Sequence, residues 1–386
     1  MADYSSVNGT DADNIDSVNG VAKTSIADIN GTNSPPAAGA TRWVVGMSSE
    51  NVGYAANSDR TSWTFYDMVS GGGNPDASDV AYGKDASGNG IYVMSRQSTS
   101  KELFVSSTDV TTVADWTVID LDSPDRVDQF GLLWAANTAN PSTAGVWVAV
   151  GEQDNSKIYR STDGAATWTG VSLSSLAGHS GTGISMIACD GAGKWMFGQD
   201  ERIYYSTDDA ATWSVSTPFS TNTPDRIEGI CFTNNTWVVA YERSGAMYAR
   251  SCDASDITAW GSEAAITGTA GAIPIPNTGL GKRCTTVGAN GRVAFVSHGN
   301  ATSNGRVGYA DFNGVNITNM DTVQLSTGSD GPKDMATDGQ TWLICTLDGD
   351  LWESTNSAQT WTEIATNIRT TTDDALCITP DVHLPL

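Results

Sequence analysis

Beyond residue 41, the chain alternates short apolar runs with clusters of Gly, Ser, Thr, Asn and Asp. Runs such as 147–150 (Trp-Val-Ala-Val) and 237–240 (Trp-Val-Val-Ala) have the length of single strands. No long window keeps the apolar period of a helix, and the intervening clusters are rich in turn-forming residues. The pattern therefore predicts an all-β protein built from many short antiparallel strands.

A longer repeat organises these strands into units. Residues 158–168, 203–213 and 351–361 share a strand, a tight turn and a Trp that opens the next strand. Longer versions of the turn connect Ser107 to Trp116 and Ser251 to Trp260, and a degenerate copy precedes Trp63. With two further apolar runs upstream, each unit has four strands, which is the composition of a propeller blade.

The repeat also predicts how many blades there are and how they close. Inner strands are predicted near residues 79–83, 127–134, 184–189, 227–232, 283–288 and 333–337. The first unit, beginning at Arg42, has no inner strand before it, but residues 373–380 are similar to residues 225–233. We therefore predict a seven-bladed β-propeller of four-stranded antiparallel blades, with about 48 residues per blade. Its C-terminal strand would complete blade one and remove the open sheet edges.

The turns resemble the Asp box, Ser-x-Asp-x-Gly-x-Thr-Trp, also called the BNR repeat. This box is found in propellers such as sialidases, sortilin-like receptors, some glycosidases and photosystem assembly factors. Ala165 stands at one of the family's glycine positions, and blade six, around 283–325, has no box. The resemblance implies structural roles at the outer rim for the matching residues, which are Ser161, Asp163, Thr167, Trp168, Ser206, Asp208, Thr212, Trp213, Ser354 and Trp361.

A smaller repeat precedes the propeller. Segments 4–9, 15–20 and 26–31 recur every eleven residues and end in Asn-Gly, a turn signal. We predict that residues 1–40 form an extended docking arm and linker and that residues 41–386 form the propeller. The docking side chains would be Val7, Ile15, Val18, Ile26 and Ile29. A disordered tail is the alternative. The arm resembles N-terminal segments of tailed-bacteriophage virion proteins, which implies a structural role in a virion.

Charge narrows the range of partners. The chain has 44 Asp and Glu against 20 Lys and Arg, a net charge of -24, which disfavours nucleic acid and anionic lipid. Neither a secretory signal nor a membrane-spanning run is visible, so we expect a virion protein that folds in the host cytoplasm. Six cysteines without CxxC spacing and three scattered histidines predict buried thiols and no metal or other cofactor.

One ligand surface is predicted at the mouth of the axial channel, where inner strands begin with charged residues. Its candidate residues are Asp125, Arg126, Asp225, Arg226, Arg283 and Lys333. Alternating charges there could bind a polar ligand such as a glycan. Ion pairs between blades are the alternative.

Three functions follow from these patterns. The first is a structural or decoration component of a phage capsid, neck or tail, with other virion proteins and a host-surface glycan as partners. The second is a sialidase-like or other carbohydrate-active or lectin propeller. The Arg-Ile-Pro motif of sialidases is not visible, so no catalytic residue is assigned and no enzymatic activity is expected, with glycosidase activity left as the alternative. The third is an assembly factor similar to the photosystem propellers, which are usually exported.

Overall fold

A computed structural model describes four two-residue strands near the N-terminus and most of residues 40–382. The described part has gaps at 49–50, 69–75, 98–101, 122–128, 137–143, 152–156, 177–183, 217–218, 220–223, 275–283, 298–304, 326–330 and 369–374. The short strands Ser6–Val7 and Thr10–Asp11 pair with each other, as do Ser17–Val18 and Val21–Ala22. Each pair encloses an Asn-Gly sequence, as expected for a tight hairpin.

Seven four-stranded antiparallel sheets make up the rest of the described chain. Each blade is written here from its inner to its outer strand. Blade 1 contains Ala375–Pro380, Arg42–Met47, Asn51–Ala56 and Asp59–Asp67; blade 2 contains Asp76–Lys84, Gly90–Gln97, Glu102–Ser106 and Trp116–Asp120. Blade 3 contains Gln129–Ala135, Val146–Gly151, Lys157–Ser161 and Thr169–Ser172; blade 4 contains Ile184–Cys189, Trp195–Gln199, Arg202–Ser206 and Ser214–Ser216. Blade 5 contains Arg226–Thr233, Thr236–Arg243, Ala246–Asp253 and Ala264–Ala265; blade 6 contains Cys284–Ala289, Arg292–Ser297, Arg306–Asn313 and Asn316–Gln324. Blade 7 contains Pro332–Thr337, Trp342–Thr346, Leu351–Ser354 and Thr362–Ala365.

The sheets confirm the seven-bladed propeller and its closure. Ala375–Pro380 pairs antiparallel with Arg42–Met47, so the C-terminal strand is the inner strand of blade 1. Beside this pair, the Asp381 carboxylate accepts hydrogen bonds from the backbone N–H groups of Thr41 and Arg42 at 2.7 and 2.9 Å. The Asp381 N–H in turn donates to the Arg42 carbonyl at 2.9 Å. Both ends of the propeller are therefore fixed to each other by backbone pairing and by one carboxylate.

The hydrophobic core lies between blades rather than within one of them. Among the described residues, seven buried apolar clusters correspond to the seven contacts between neighbouring blades. Five of the largest fully buried side chains are tryptophans of second strands, namely Trp43, Trp147, Trp195, Trp237 and Trp342. Burying a large apolar side chain contributes about 1.5–3 kcal/mol, so stacking of neighbouring blades is a main source of stability.

Inner strands are also joined by buried carboxylates. The Asp79 carboxylate accepts a hydrogen bond from the Leu132 N–H of the next blade at 2.7 Å. Asp334, in blade 7, accepts from the Ile378 N–H of blade 1 at 3.0 Å and from the Thr285 hydroxyl of blade 6 at 2.8 Å. Both carboxylates are at most 5% exposed and lie at register shifts in their strands. A bulge next to the axis thus places an acceptor where the neighbouring blade has an unpaired donor.

Helix contributes little to the described structure. Val113–Asp115 forms a short 3-10 helix in the long turn of blade 2. No helix in the described ranges is long and apolar enough to cross a membrane. Five cysteines, Cys189, Cys231, Cys252, Cys345 and Cys377, are buried. Burial raises the pKa of the Cys252 thiol to about 12, so it stays protonated.

Removing the Asp334 carboxylate should weaken ring closure. We expect Asp334→Ala to lower the free energy of unfolding by about 2–4 kcal/mol, because it removes the buried acceptor that joins donors of two neighbouring blades. Urea denaturation followed by tryptophan fluorescence measures this change. Asp120→Ala, an exposed site in blade 2, is the control and should change stability by less than about 0.5 kcal/mol. A similar small loss for Asp334→Ala would contradict this account.

Candidate functional site

Of the six predicted axial ligand residues, the structure describes three, Asp225, Arg226 and Lys333. Asp125, Arg126 and Arg283 lie outside the described residues. Asp225 and Arg226 lie at the start of the inner strand of blade 5, and Lys333 lies in the inner strand of blade 7. Lys333 is 9% exposed and sits at a register shift, so little of it reaches solvent.

Arg226 is already paired within its own blade. Its Nε lies 2.7 Å from Glu228 Oε1, and a terminal nitrogen donates to Glu242 Oε2 at 3.1 Å. Burial alone would lower the pKa of the Arg226 guanidinium, but the two carboxylates outweigh burial and raise it. The Asp225 carboxylate accepts a hydrogen bond from the Ser244 N–H at 2.7 Å. The described contacts of Arg226 are therefore those of an ion-pair network, and those of Asp225 are those of a turn. Glycan binding at these two residues stays a prediction.

Three turns at the rim share one hydrogen-bond pattern. In blade 3, the Ser161 hydroxyl donates to Asp163 at 2.8 Å and accepts from the Ala165 N–H at 3.0 Å. Asp163 also accepts from the Thr167 N–H at 2.9 Å and from the Thr167 hydroxyl at 2.5 Å. The Trp168 indole N–H donates to the Ala165 carbonyl at 3.1 Å. These bonds satisfy the turn from within and leave the carboxylate little freedom to act on a substrate.

Blades 4 and 7 repeat the pattern at equivalent positions. The set Ser206, Asp208, Thr212 and Trp213 makes the same bonds in blade 4. In blade 7, Asn356 takes the place of the aspartate. Its side-chain oxygen accepts from the Thr360 N–H at 2.9 Å, and its side-chain nitrogen donates to the Thr360 hydroxyl at 2.7 Å. Ser354 and Trp361 complete that turn. All three turns link the third and outer strands of their blades, away from the inner strands.

The alanine in each turn has a left-handed backbone and is fully buried. Ala165, Ala210 and Ala358 have φ values of 66°, 60° and 64° and are 0% exposed. An L-residue at positive φ is strained, and only a small side chain fits a fully buried position. The serine hydroxyl that accepts from each alanine N–H offsets that strain.

A second cluster, in blade 5, had no signal in the sequence. The Tyr241 hydroxyl donates to Glu263 at 2.8 Å and accepts from Arg250 Nε at 3.0 Å. Arg243 donates to the same glutamate at 2.6 Å, and the Arg250 guanidinium lies 4.7 Å from the Phe219 ring centroid. Four separate segments of the chain supply these side chains, so no local spacing could reveal them.

Tyrosine beside glutamate and arginine is the combination that a sialidase uses, but this cluster has other properties. Tyr241 is 0% exposed, so a substrate has no access to its hydroxyl. Burial, followed by the hydrogen bond to Glu263, raises the pKa of Tyr241, so the phenol stays protonated. Glu263 directly precedes the outer strand Ala264–Ala265, which has only two residues. The cluster therefore anchors a short edge strand.

The described ranges hold no group of three or more His, Cys, Asp or Glu side chains arranged to bind a metal ion. They do include one open cleft, of about 580 Å³, beside the third and outer strands of blade 6.

Of the predicted docking residues, Val7 and Val18 lie in the N-terminal hairpins. Ile15, Ile26 and Ile29 lie outside the described residues.

Comparison with known proteins supports the architecture. No family model matches the chain, and no curated protein matches it. Among solved structures, a chain of a mitotic checkpoint complex matches with a TM-score of 0.54 at 9% identity, over 81% of this chain and 83% of that one. The likeness is one of fold alone. YCF48 from Cyanidioschyzon merolae matches with a TM-score of 0.48 at 14% identity, over 75% and 84% of the two chains. An ancestral GH74 enzyme matches with a TM-score of 0.49 at 13% identity, and this chain spans 55% of its length.

The turns of blades 3 and 4 should give the protein a measurable acid sensitivity. Partial burial would raise the pKa values of Asp163 and Asp208, but hydrogen bonds from Thr167 and Thr212 outweigh burial and hold them below the usual value. A lowered folded-state pKa stabilises the fold above the unfolded-state value of about 3.9, and the stabilisation is lost as pH falls through the folded-state pKa.

We therefore expect Asp163→Asn with Asp208→Asn to lower stability at pH 7 by less than about 1 kcal/mol per turn, given solvent screening. This difference from the native chain should disappear as pH falls below about 4. Denaturant titrations over a pH series measure it. The reverse change in blade 7, Asn356→Asp, should add acid sensitivity. Parallel pH curves for all variants would show that the carboxylates have no such role.

Proposed function

We propose that this chain is a non-enzymatic structural component of a tailed-bacteriophage virion, anchored to capsid, neck or tail proteins through its N-terminal repeats. It would fold in the host cytoplasm before joining the particle. Treating the rim turns as Asp boxes with structural roles belongs to the same proposal. The observation that carries it is the pair of hairpins at eleven-residue spacing before the propeller.

Hairpins of this size favour docking. Each has two strands of two residues, with Val7 opposite Thr10 and Val18 opposite Val21. A two-stranded hairpin is at best marginally stable in water, and further strands or packing are needed for independent stability. Regular placement of an apolar residue next to each turn suits pairing with a partner that supplies those strands. If residues 1–40 were only a spacer, nothing would require an apolar residue at the same place in each repeat.

The propeller itself is less suited to anchoring. Its strands belong to a closed ring of blades. In the described part, the large apolar side chains that are exposed are Val113, Val118 and Val315, at 45–47%. These valines lie in blade 2 and in a hairpin turn of blade 6 rather than in one patch. Stable interfaces usually have an apolar centre. Anchoring through the arm would leave the propeller projecting from the particle.

The alternative of a sialidase-like or other carbohydrate-active propeller has less support. Tyr241, the tyrosine that pairs with a glutamate, is fully buried, and the rim carboxylates Asp163 and Asp208 are engaged within their turns. Contact with a host-surface glycan without catalysis remains part of the proposal, since a projecting propeller would face the cell.

Removing the apolar positions of the arm should prevent incorporation. We expect the full-length variant with Val7, Ile15, Val18, Ile26 and Ile29 all changed to Ser to be at least about tenfold depleted from purified particles, since each lost apolar contact weakens binding. Quantitative mass spectrometry of particles from the encoding phage measures incorporation. Melting of the purified variant should match that of the native chain.

Val113→Ser with Val118→Ser is the matched control, because it removes exposed valines from the propeller instead. This control should be incorporated normally. Normal incorporation of the arm variant would refute docking through the arm.

A further inference from the structure

The cleft beside blade 6 is built by three consecutive blades. Thr269 follows the outer strand of blade 5, Tyr309 and Asn319 belong to the third and outer strands of blade 6, and Gln359 lies in the rim turn of blade 7. Its volume of about 580 Å³ is within the range of about 300–1,000 Å³ typical of small-molecule sites. None of these residues takes part in the predicted arm or axial surface.

An irregularity in blade 6 shapes the cleft. The pairing of its third and outer strands shifts register between Tyr309 and Asp311, so the outer strand carries a β-bulge. Asn319 lies in this bulge with a φ of 54°, a left-handed conformation that asparagine tolerates better than most residues. Bulges redirect side chains and recur beside binding sites. Blade 6 is also the blade whose sequence has no Asp-box turn.

The positive charge of Arg292, which lines the cleft, is already balanced by a carboxylate. Arg292 Nε donates to the Asp311 carboxylate at 2.6 Å, and a terminal nitrogen donates to the Ser357 carbonyl of blade 7 at 3.3 Å. Its guanidinium lies 5.0 Å from the centroid of the Tyr309 ring. The Asn319 amide donates to the other oxygen of Asp311 at 2.6 Å. This network holds Arg292, Tyr309 and Asn319 in fixed positions across two blades.

The anionic wall is equally fixed. The Asp321 carboxylate accepts from the backbone N–H groups of Thr269 at 2.5 Å and Thr322 at 2.8 Å, and from the Thr269 hydroxyl at 3.1 Å. The bond from the Thr269 backbone, followed by that from Thr322, lowers the pKa of Asp321, which stays ionised at neutral pH. Side chains that are held before a ligand arrives lose little entropy on binding.

These contacts narrow the class of ligand. An anion such as a phosphate or carboxylate would meet Asp321, while Arg292 is already paired with Asp311. A cation is disfavoured because both carboxylates already accept several hydrogen bonds. A purely apolar ligand would leave the amides and hydroxyls of the lining unpaired. A neutral polyhydroxylated molecule can pair with amides and hydroxyls and pack against Tyr309 and Met320.

We propose that the cleft of blade 6 binds a neutral mono- or disaccharide unit of a glycan, through hydrogen bonds to Asn319 and Gln359 and packing on the exposed part of Tyr309. Glycan binding here rests on the proposed function, in which the propeller faces outward, and it names the site of that contact. It moves the contact from the axial mouth to the rim.

The chain itself offers a mild variant for the test. Gln359 is exposed and takes the position that Ala166 and Ala211 have in the equivalent turns of blades 3 and 4. Gln359→Ala therefore installs a residue that this turn already accommodates. Asn319→Gly removes the amide and keeps a residue that adopts positive φ readily. Asn316→Ala, an exposed site in the same outer strand but outside the cleft, is the control.

The experiment is saturation-transfer NMR and calorimetric titration of the free full-length protein with maltose, lactose and N,N′-diacetylchitobiose at millimolar concentration. Sialyllactose and glucose 6-phosphate serve as the charged probes. We expect at least one neutral disaccharide to bind, the double variant Asn319→Gly with Gln359→Ala to bind it about tenfold more weakly, and the Asn316→Ala control to bind it normally.

Three results would overturn the proposal: no binding of any neutral probe, tighter binding of the charged probes, or equal affinity of the double variant. Because no particles are involved, failure here leaves the incorporation assay of the arm unaffected. Conversely, loss of arm docking would not change the titration.

Discussion

Closure of the ring is the constraint on which the remaining structure depends. Each apolar core lies between two blades, so a blade is complete only when both of its neighbours are in place. The strand Ala375–Pro380 supplies the inner strand of blade 1 and thereby creates the contact between blades 7 and 1. Asp334 adds a hydrogen bond across this junction, and Asp381 adds hydrogen bonds within blade 1, to the backbone of Thr41 and Arg42. Pairing with this strand also covers the inner edge of Arg42–Met47, which would otherwise be an unpaired sheet edge.

Several carboxylates of this acidic chain have a structural role. Asp79 and Asp334 join inner strands, and Asp163 and Asp208 organise rim turns. In each case a short carboxylate satisfies backbone N–H groups that a turn or bulge leaves without a partner. An excess of aspartate in a many-turned protein therefore reflects backbone satisfaction as well as solubility. For the same reason, a carboxylate in this chain is weak evidence for catalysis.

The sequence predicted the fold well because the same pattern of strands and turns recurs in several units along the chain. The predicted inner strands near 184–189 and 333–337 match Ile184–Cys189 and Pro332–Thr337, and closure followed from similarity between two inner strands. The sequence did not predict contacts between segments that lie far apart in the chain. Tyr241 and Glu263 meet only after blade 5 folds, and the bulge at Asn319 depends on the pairing register of blade 6.

The rim turns of blades 3, 4 and 7 differ from the corresponding turn of blade 6. In blades 3, 4 and 7 the rim turn is held by the same set of internal hydrogen bonds. Blade 6 has a two-residue turn instead, and its outer strand gains a bulge. Its polar side chains reach across to blades 5 and 7 and line an open cleft. Because each blade is supported by a neighbour on both sides, the ring accommodates irregular pairing in several blades: the third and outer strands also shift register in blades 1 and 7. In blade 6 such a shift accompanies the cleft, in line with the tendency of bulges to occur beside binding sites.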